Sequence, residues 1–321
     1  MQRFRVSEDS MRPVLAPGDE FVATRSRRAL VGDMVALPHP QRDDFWLVKR
    51  LAAGPGDTVD GRGPLAPGEA WVVSDNPAEG VADSRRFGPV PFDSLRPVVT
   101  RLDETTFAEA VAMLTAEDQA LATVVGRHGP PPFWHRPPGF PTLTWLILEQ
   151  QVSLESGAAM YRRLHGLLGE ISPEAVAATG EAGLRSIGIT RQKANYLLDL
   201  AALIADGELD LEHLDRASQE EARSMLLGLR GIGPWTADVY LLSALRFPDA
   251  FPIGDRALQV GTGEVLGMTG VPDVAELELL STPWRPVRAV AARIVWHSYL
   301  ASRGRVEPPD PTVDHPSGRG A

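Results

Sequence analysis

Cysteine is absent from the 321 residues of this chain. Without thiols the protein cannot form disulfides, use a cysteine nucleophile, or bind zinc or an iron–sulfur cluster through thiolates. No apolar run approaches the length that spans a bilayer, and the first residues contain no apolar signal-peptide region. We therefore expect a cytoplasmic protein with no membrane partner, no metal and no cofactor.

Positive charge is also scarce, because 32 basic side chains stand against 42 acidic ones and the net charge is −10. No global positive field would draw such a chain to nucleic acid. Any affinity for DNA must therefore come from a local face and from backbone amides. The composition is otherwise that of a globular protein, and the length favours two or more domains.

The first hundred residues have the pattern of a β module. Short apolar segments alternate with turns such as Ala16-Pro17-Gly18-Asp19, which is typical of strands in an antiparallel sheet. The sequence predicts strands over residues 20–24, 34–37, 45–51 and 70–73. We therefore predict an N-terminal all-β domain over residues 1–98.

The remainder of the chain has a helical apolar period. Its first long apolar stripe runs from residue 143 to residue 168, although Pro141 and Ser153 make a single unbroken helix uncertain. The last segment is rich in proline and polar residues and is too poor in apolar side chains to pack. The sequence predicts a multidomain protein with a linker over 99–105, an all-α domain over 106–303 and a disordered tail over 304–321.

A glycine-rich turn precedes an isolated carboxylate in the last third of the chain. Residues 229–238 read LRGIGPWTAD, and Asp255 follows about one helix and a loop later. Gly231 and Gly233 allow a tight turn, and a helix that opens at Thr236 would present backbone amides to an anion such as a DNA phosphate. Asp255 taken alone is more typical of a helix N-cap than of a catalytic group.

This layout resembles the helix-hairpin-helix DNA glycosylases, and residues 104–303 are similar to the 3-methyladenine DNA glycosylase II type. Further segments match in order: LEQQVS at 148–153, GITRQKA at 188–194 and PWRPVR at 283–288. The resemblance implies an all-α fold and double-stranded DNA with alkylated bases as the partner. It also implies that Asp255 stabilises the cationic sugar that forms as the base departs, a role compatible with capping a helix.

The resemblance assigns two tryptophans to the base pocket. Trp235 and Trp284 would stack on electron-poor alkylated bases, although both could instead be core residues. Trp235 stands where strand-cleaving relatives carry a Schiff-base lysine, which implies a monofunctional enzyme. Val239 stands where the relative has a second aromatic residue, which implies a narrower or different set of lesions.

The resemblance also places DNA contacts on the hairpin and on an earlier turn. Gly231, Gly233 and Thr236 would bind phosphate through the hairpin. Gln151 would reach the minor groove, although Gln150 and Gln151 could equally bridge helices.

The N-terminal half resembles the signal peptidase family in three ordered boxes. These are Ser10-Met11-Arg12-Pro13, Val48-Lys49-Arg50-Leu51 and a last box formed by the segments 74–76 and 83–90. The resemblance implies a catalytic dyad in which Lys49, after an apolar run, activates Ser10. The alternative is a turn serine and a solvent-exposed lysine. Because the family's membrane anchor is missing, the module is similar to soluble maturation peptidases, with a protein substrate or a retired scaffold role.

Taken together, these features predict a monomeric, monofunctional DNA glycosylase for alkylated bases, fused behind a Ser/Lys peptidase-like domain. Two alternatives stay open. The helical half could be a non-catalytic lesion-binding protein whose carboxylate only caps a helix. The main activity could instead be that of a cytoplasmic maturation peptidase that the helical half targets.

Overall fold

The computed structural model describes residues 1–76 and 82–305. This part of the chain divides into two compact units, which are described separately below. The first comprises residues 1–113 with 285–287, and the second comprises residues 114–284 and the residues from 288 onward. Most of the segment predicted as a disordered tail, from residue 306, lies outside the described residues.

The first unit is built mainly from short strands. They are β1 (Gln2–Arg5), β2 (Glu20–Ala23), β3 (Met34–Pro38), β4 (Trp46–Ala53), β5 (Thr58–Val59), β6 (Gly63–Pro64), β7 (Glu69–Val73), β8 (Val90–Pro91) and β9 (Arg96–Pro97). Five of them form a sheet in the order β8-β7-β4-β3-β9, whereas β1 pairs with β2 and β5 pairs with β6. A one-turn helix, α1 (Ser84–Phe87), comes before β8. The four predicted strands are present within two residues of their predicted ends, and the other five strands, β1, β5, β6, β8 and β9, were not predicted.

The alternation along β4 determines what this sheet buries. Leu47, Lys49 and Leu51 lie on its buried face, and the residues between them are more exposed. Leu47 and Leu51 join an apolar core with side chains from the neighbouring strands, including Val35 and Val72. The period of two therefore directs the lysine amine into the interior of the unit.

The segment predicted as a linker, residues 99–105, lies inside the first unit. Val99 and Leu102 are buried, and helix α2 (Glu104–Glu117) already begins within the predicted linker. The carboxylate of Glu109 accepts hydrogen bonds from the Thr24 and Ser26 hydroxyls. The predicted boundary is corrected for this reason: the first half of α2 is joined to the segment after β2 by side-chain contacts that no local pattern reveals.

The second unit contains helices joined by loops and, among its described residues, no strand. Its helices are α3 (Gln119–His128), α4 (Phe140–Glu149), α5 (Leu154–Leu168), α6 (Pro173–Ser186), α7 (Arg191–Ala205), α8 (Leu211–Arg216), α9 (Gln219–Leu227), α10 (Pro234–Ser243), α11 (Arg256–Val265), α12 (Val274–Ser281) and α13 (Arg288–Ala301). The uncertainty over the stripe at 143–168 is resolved as two helices. Pro141 lies in the first turn of α4, and Ser153 caps α5 by accepting a hydrogen bond from the Ser156 amide.

Two helices form the centre of the second unit. Helix α4 is buried over nearly its whole length, and α13 is buried from Arg288 to Val295. Gly261 lets α11 approach α13 closely, because a Cβ atom there would lie 2.7 Å from the Cγ1 atom of Val295. This close approach brings the N-terminus of α11, where Asp255 lies, beside the exposed end of α13.

Within the described residues, no helix has the length and apolar character to cross a bilayer. The same residues contain no cluster of histidine and carboxylate side chains arranged to hold a metal ion.

Candidate functional site

Asp255 lies at the N-terminus of α11, and three donors hold its carboxylate. Oδ1 accepts a hydrogen bond from the Leu258 amide at 2.7 Å, so the side chain caps the helix. Oδ1 also accepts from Nε1 of Trp296 at 3.1 Å, and Oδ2 accepts from Nε1 of Trp235 at 2.7 Å. The half-buried carboxylate is therefore both a helix cap and part of a polar cluster.

A pocket of about 490 Å³ opens beside Asp255 within the second unit. Its volume lies in the range of sites that bind small molecules. Ionisable side chains and aromatic rings share its walls: Glu149, Asp255, Arg136 and Arg293, with Trp134, Trp235, Trp296 and Tyr299. Flat rings around a carboxylate can hold a heteroaromatic group and stabilise positive charge next to it.

The two tryptophans that the sequence assigned to the pocket have different positions. Trp235 is half-buried and lines the pocket. Trp284 is 1% exposed and lies outside the pocket wall. Its Nε1 donates to Oδ2 of Asp118 at 2.9 Å, and its ring packs against Phe251. The pocket assignment of Trp284 is therefore corrected, because this indole is satisfied inside the core.

Trp296, and not Trp284, lines the pocket beside Asp255 together with Trp235. It lies on α13 just past the last fully buried turn, lines the pocket and donates to Asp255. The sequence could have indicated this role, because Trp296 directly follows the apolar stripe of α13, where the helix becomes more exposed. Trp134 and Tyr299 were missed as well, and they supply aromatic surface that Val239, which also lines the pocket, does not.

The hairpin between α9 and α10 requires glycine at one position only. Gly231 has φ +87°, and a Cβ atom there would lie 2.4 Å from Cγ of Tyr196. Gly233 has φ −92°, and a Cβ atom there would meet nothing within 4 Å. A side chain would therefore obstruct the turn at Gly231 and not at Gly233.

Helix α10 begins at Pro234, two residues before the predicted start at Thr236. The amides of Trp235 and Thr236 lie in the first turn and have no acceptor within the helix, which is the arrangement that binds anions. The Thr236 side chain is 3% exposed, and its hydroxyl accepts a hydrogen bond from Nε2 of Gln150 at 3.0 Å. The hydroxyl of Thr236 therefore braces the hairpin, and only its amide is suited to a phosphate.

Gln150 connects the end of α4 to the hairpin. Its Nε2 also donates to the carbonyl oxygen of Gly231 at 2.8 Å. The amine of Lys193 donates to the carbonyl oxygens of Leu148 and Gln150, at 2.7 and 2.9 Å, and so closes the C-terminus of α4. Gln150 therefore bridges helices, which was one of the two roles considered for the glutamine pair.

Gln151, in contrast, projects from the turn between α4 and α5. It is exposed and has φ +58°, a conformation that non-glycine residues seldom adopt. The next residue, Val152, lines the pocket. Gln151 is thus an exposed side chain beside the pocket, and its contact with DNA stays a prediction.

In the first unit, Ser10 and Lys49 lie together. Nζ of Lys49 is 2.7 Å from Oγ of Ser10, and the lysine is 2% exposed. Burial lowers the pKa of the Lys49 amine, with Asp83 and Glu8 opposing the shift. The alternative of a solvent-exposed lysine is excluded.

Both segments of the last box in the N-terminal half lie close to this pair. The backbone amide of Asn76 donates to the carbonyl oxygen of Ser10 at 3.1 Å. Asp83 caps α1, is 1% exposed and accepts a hydrogen bond from the Ser74 amide at 3.0 Å. A small cavity of about 60 Å³ lies beside Ser10 and Lys49, among apolar side chains of the unit.

The second unit has the helix-hairpin-helix glycosylase fold. Residues 144–286 match the profile of the HhH-GPD superfamily base excision DNA repair proteins. A DNA-3-methyladenine glycosidase structure from Bacillus halodurans is 27% identical, covers 61% of this chain and 91% of its own, and superposes with a TM-score of 0.52. The 3-methyladenine DNA glycosylase Mag1 of Schizosaccharomyces pombe, solved with abasic DNA, covers 61% of this chain and 97% of its own, with 23% identity and a TM-score of 0.54.

Proteins similar to this chain in sequence are also described as DNA-3-methyladenine glycosylases. The DNA-3-methyladenine glycosylase of Bacillus subtilis is 31% identical over 169 residues, which are 49% of this chain and 56% of the relative. The chain thus spans about half the length of the curated relatives it matches. At the other end, residues 1–64 match the profile of signal peptidase, peptidase S26, which includes Ser10 and Lys49 but not the segments at 74–76 and 83–90.

Replacing Gly231 with alanine tests the hairpin. We expect Gly231→Ala to lower the free energy of unfolding by about 1–3 kcal/mol, because the new Cβ forces strain at positive φ and overlaps the Tyr196 ring. Chemical denaturation measures the loss. Gly233→Ala is the matched control, and we expect its stability to stay within about 0.5 kcal/mol of the parent. Equal losses in the two variants would contradict the assignment.

Proposed function

We propose that the second unit is a monofunctional DNA glycosylase that excises alkylated bases of the 3-methyladenine type from double-stranded DNA. The observation that carries the proposal is the Asp255 carboxylate, which lies in an aromatic pocket behind a glycine hairpin. The relatives described as DNA-3-methyladenine glycosylases support the choice of substrate. We further propose that the protein acts as a monomer in the cytoplasm.

The chemistry required of this site is limited to one bond. The flipped base lies among the rings, the N-glycosidic bond breaks, and the base leaves with the bonding electron pair. Positive charge then develops on the sugar at C1′, where the negative charge of Asp255 stabilises it. Water adds to C1′, and the carboxylate orients it and accepts its proton. The products are a free base and an abasic site.

The lysines of the chain favour hydrolysis over strand cleavage. The sequence contains two lysines, Lys49 and Lys193, and both are buried. In the second unit Lys193 is engaged by two carbonyl oxygens, and Trp235 stands at the hairpin position of the Schiff-base lysine. Without an accessible amine the site has no group that can form a covalent imine with the sugar.

DNA binding in this proposal relies on backbone and neutral groups. The first-turn amides of α10 bind a phosphate, and Gln151 enters the minor groove beside the extruded base. The net charge of −10 adds no long-range attraction. Affinity is therefore modest and falls with added salt.

Asp255→Asn tests the catalytic assignment. We expect base release to fall by about two orders of magnitude or more, because the amide keeps the capping acceptor and loses the charge that stabilises the sugar cation. Single-turnover release of 3-methyladenine from alkylated duplex DNA measures the effect.

Asp273→Asn is the matched control for that variant. Asp273 caps α12 by accepting from the Glu276 amide at 2.9 Å and does not line the pocket. Its activity should equal that of the parent. If Asp255→Asn released base at the parental rate, the lesion-binding alternative, in which the carboxylate only caps a helix, would be favoured.

Borohydride trapping tests whether the enzyme is monofunctional. We expect no covalent protein–DNA adduct and no strand cleavage on lesion-containing DNA, because neither lysine amine is accessible to the sugar. A strand-cleaving helix-hairpin-helix glycosylase treated in parallel serves as the positive control. A trapped adduct at stoichiometric yield would rule out the monofunctional assignment.

We also propose a second activity, a Ser/Lys peptidase in the first unit that acts on a protein substrate. The specific observation is the 2.7 Å separation between Nζ of Lys49 and Oγ of Ser10. A neutral amine at this distance can accept the hydroxyl proton as the serine oxygen attacks a carbonyl carbon. The lowered pKa of Lys49 supplies the neutral amine at a lower pH than an exposed lysine would. The rival interpretation is a scaffold without activity.

A serine-directed acylating probe tests the dyad. We expect Ser10 to be labelled, with labelling that rises with pH and is half-maximal below the ordinary lysine pKa, because burial disfavours the charged amine. Lys49→Ala should abolish labelling. Ser94→Ala, which removes a hydroxyl bound to the carbonyl of Pro91, should leave it unchanged. A folded protein that stays unlabelled from neutral to alkaline pH would leave only the scaffold role.

A further inference from the structure

The donors around Asp255 are all electrically neutral. Two are indole N–H groups, from Trp235 and Trp296, and the third is the Leu258 amide. No ion pair joins Asp255 to a cation among the described residues. Arg256, the next residue, instead directs its guanidinium to Oε1 of Gln259. The carboxylate is therefore oriented by neutral donors, and the arginines that share its pocket, Arg136 and Arg293, form no ion pair with it.

Three separate elements bring these groups together. Trp235 is the second residue of α10, and the Gly231 turn sets its position. Trp296 lies near the end of α13, which approaches α11 closely through Gly261. Asp255 begins α11. The convergence depends on the packing of the helices and not on local sequence.

Orientation without neutralisation suits this reaction. An arginine or lysine partner would offset the negative charge that the sugar cation needs, whereas a neutral N–H group fixes the carboxylate and leaves its charge in place. A carboxylate has about four acceptor positions. Oδ1 receives two donors and Oδ2 receives one, so Oδ2 keeps an open position for a water molecule.

We propose that the N–H groups of Trp235 and Trp296 position the Asp255 carboxylate for catalysis, a role separate from any stacking of their rings on the base. The two tryptophans are positioning residues in this respect because their effect passes through the carboxylate. The inference rests on the proposed glycosylase function and extends it to two named atoms, Nε1 of each indole.

The core of the same unit contains a matched pair for comparison. Asp118 caps α3 through the Ala120 and Leu121 amides, and its Oδ2 accepts from Nε1 of Trp284. This pair repeats the contact between an indole and a capping aspartate away from the pocket. Trp284→Phe therefore measures what the loss of such a hydrogen bond does to the fold alone.

The kinetic test replaces each tryptophan with phenylalanine, which keeps an aromatic ring and removes the donor. We expect Trp235→Phe and Trp296→Phe each to lower kcat roughly tenfold or more, with KM and abasic-DNA affinity changed less than about twofold. The loss should be the same for 3-methyladenine and 7-methylguanine, because the carboxylate acts on the sugar that both share. Trp284→Phe should keep the parental kcat.

A different result would overturn the proposal. If the tryptophans act only by stacking, the losses will differ between the two bases or will appear in KM. Parental kcat in both phenylalanine variants would also exclude the positioning role. If Trp296→Phe does not fold, Trp235→Phe alone decides, because its ring is half-buried at the pocket wall and not in the core.

An NMR measurement tests the contacts without relying on activity. The chain has seven tryptophans, and phenylalanine variants assign their indole N–H signals one by one. Asp255→Ser keeps a capping hydroxyl but is too short to reach both indoles. We expect it to shift the signals of Trp235 and Trp296 and not that of Trp284, whereas Asp118→Ser should shift only Trp284.

The two sets of measurements separate the failure of this inference from the failure of the proposed function. Unchanged indole signals in Asp255→Ser would overturn the positioning role even in an active enzyme. If the parent protein released no base, the glycosylase proposal would fail, and the catalytic role of the indoles would fail with it. The NMR result would then still decide whether the N–H groups hold the carboxylate.

Discussion

The candidate site of the second unit depends on one interaction, the hydrogen bonding of the partly buried Asp255 carboxylate to three neutral N–H donors. Burial of an unpaired charge is costly unless hydrogen bonds compensate it. Here one backbone amide and two indoles supply them, and each indole comes from a different helix. The close approach of α11 and α13 at Gly261 and the start of α10 after the hairpin both serve this convergence.

The hairpin between α9 and α10 is held by side chains from α7 and from the end of α4. Tyr196 packs against the space where Gly231 lacks a side chain, and Gln150 ties the Gly231 carbonyl to the end of α4. Lys193 then closes α4 through two carbonyl oxygens. The exposed Gln151 follows directly, so hydrogen bonds connect the turn that carries it to the hairpin turn. Backbone groups on such a turn can bind an anion in a chain with a net negative charge.

The two lysines of the chain are both buried, and their different hydrogen-bond partners suit them to different roles. Burial lowers the pKa of both lysine amines, and this effect is larger than the opposing effect of nearby carboxylates, which raise the pKa. Lys193 donates to two carbonyl oxygens, which satisfies an ammonium group and favours a structural role. Lys49 has the hydroxyl of Ser10 as its hydrogen-bonding partner, which suits an amine that exchanges a proton. Both amines are buried, but Lys193 caps the end of α4 in the second unit, whereas Lys49 is a candidate base in the first.

Features that depend on neighbouring residues could be predicted from the sequence. The apolar run before Lys49 predicted a buried amine, Ser153 stood at the break between α4 and α5, and the glycine turn located the hairpin ahead of Asp255. The tertiary structure decided which tryptophan reaches Asp255. Trp296 does and Trp284 does not, because the walls of a pocket come from segments far apart in the chain, and packing, which local periodicity does not encode, sets which side chains meet there.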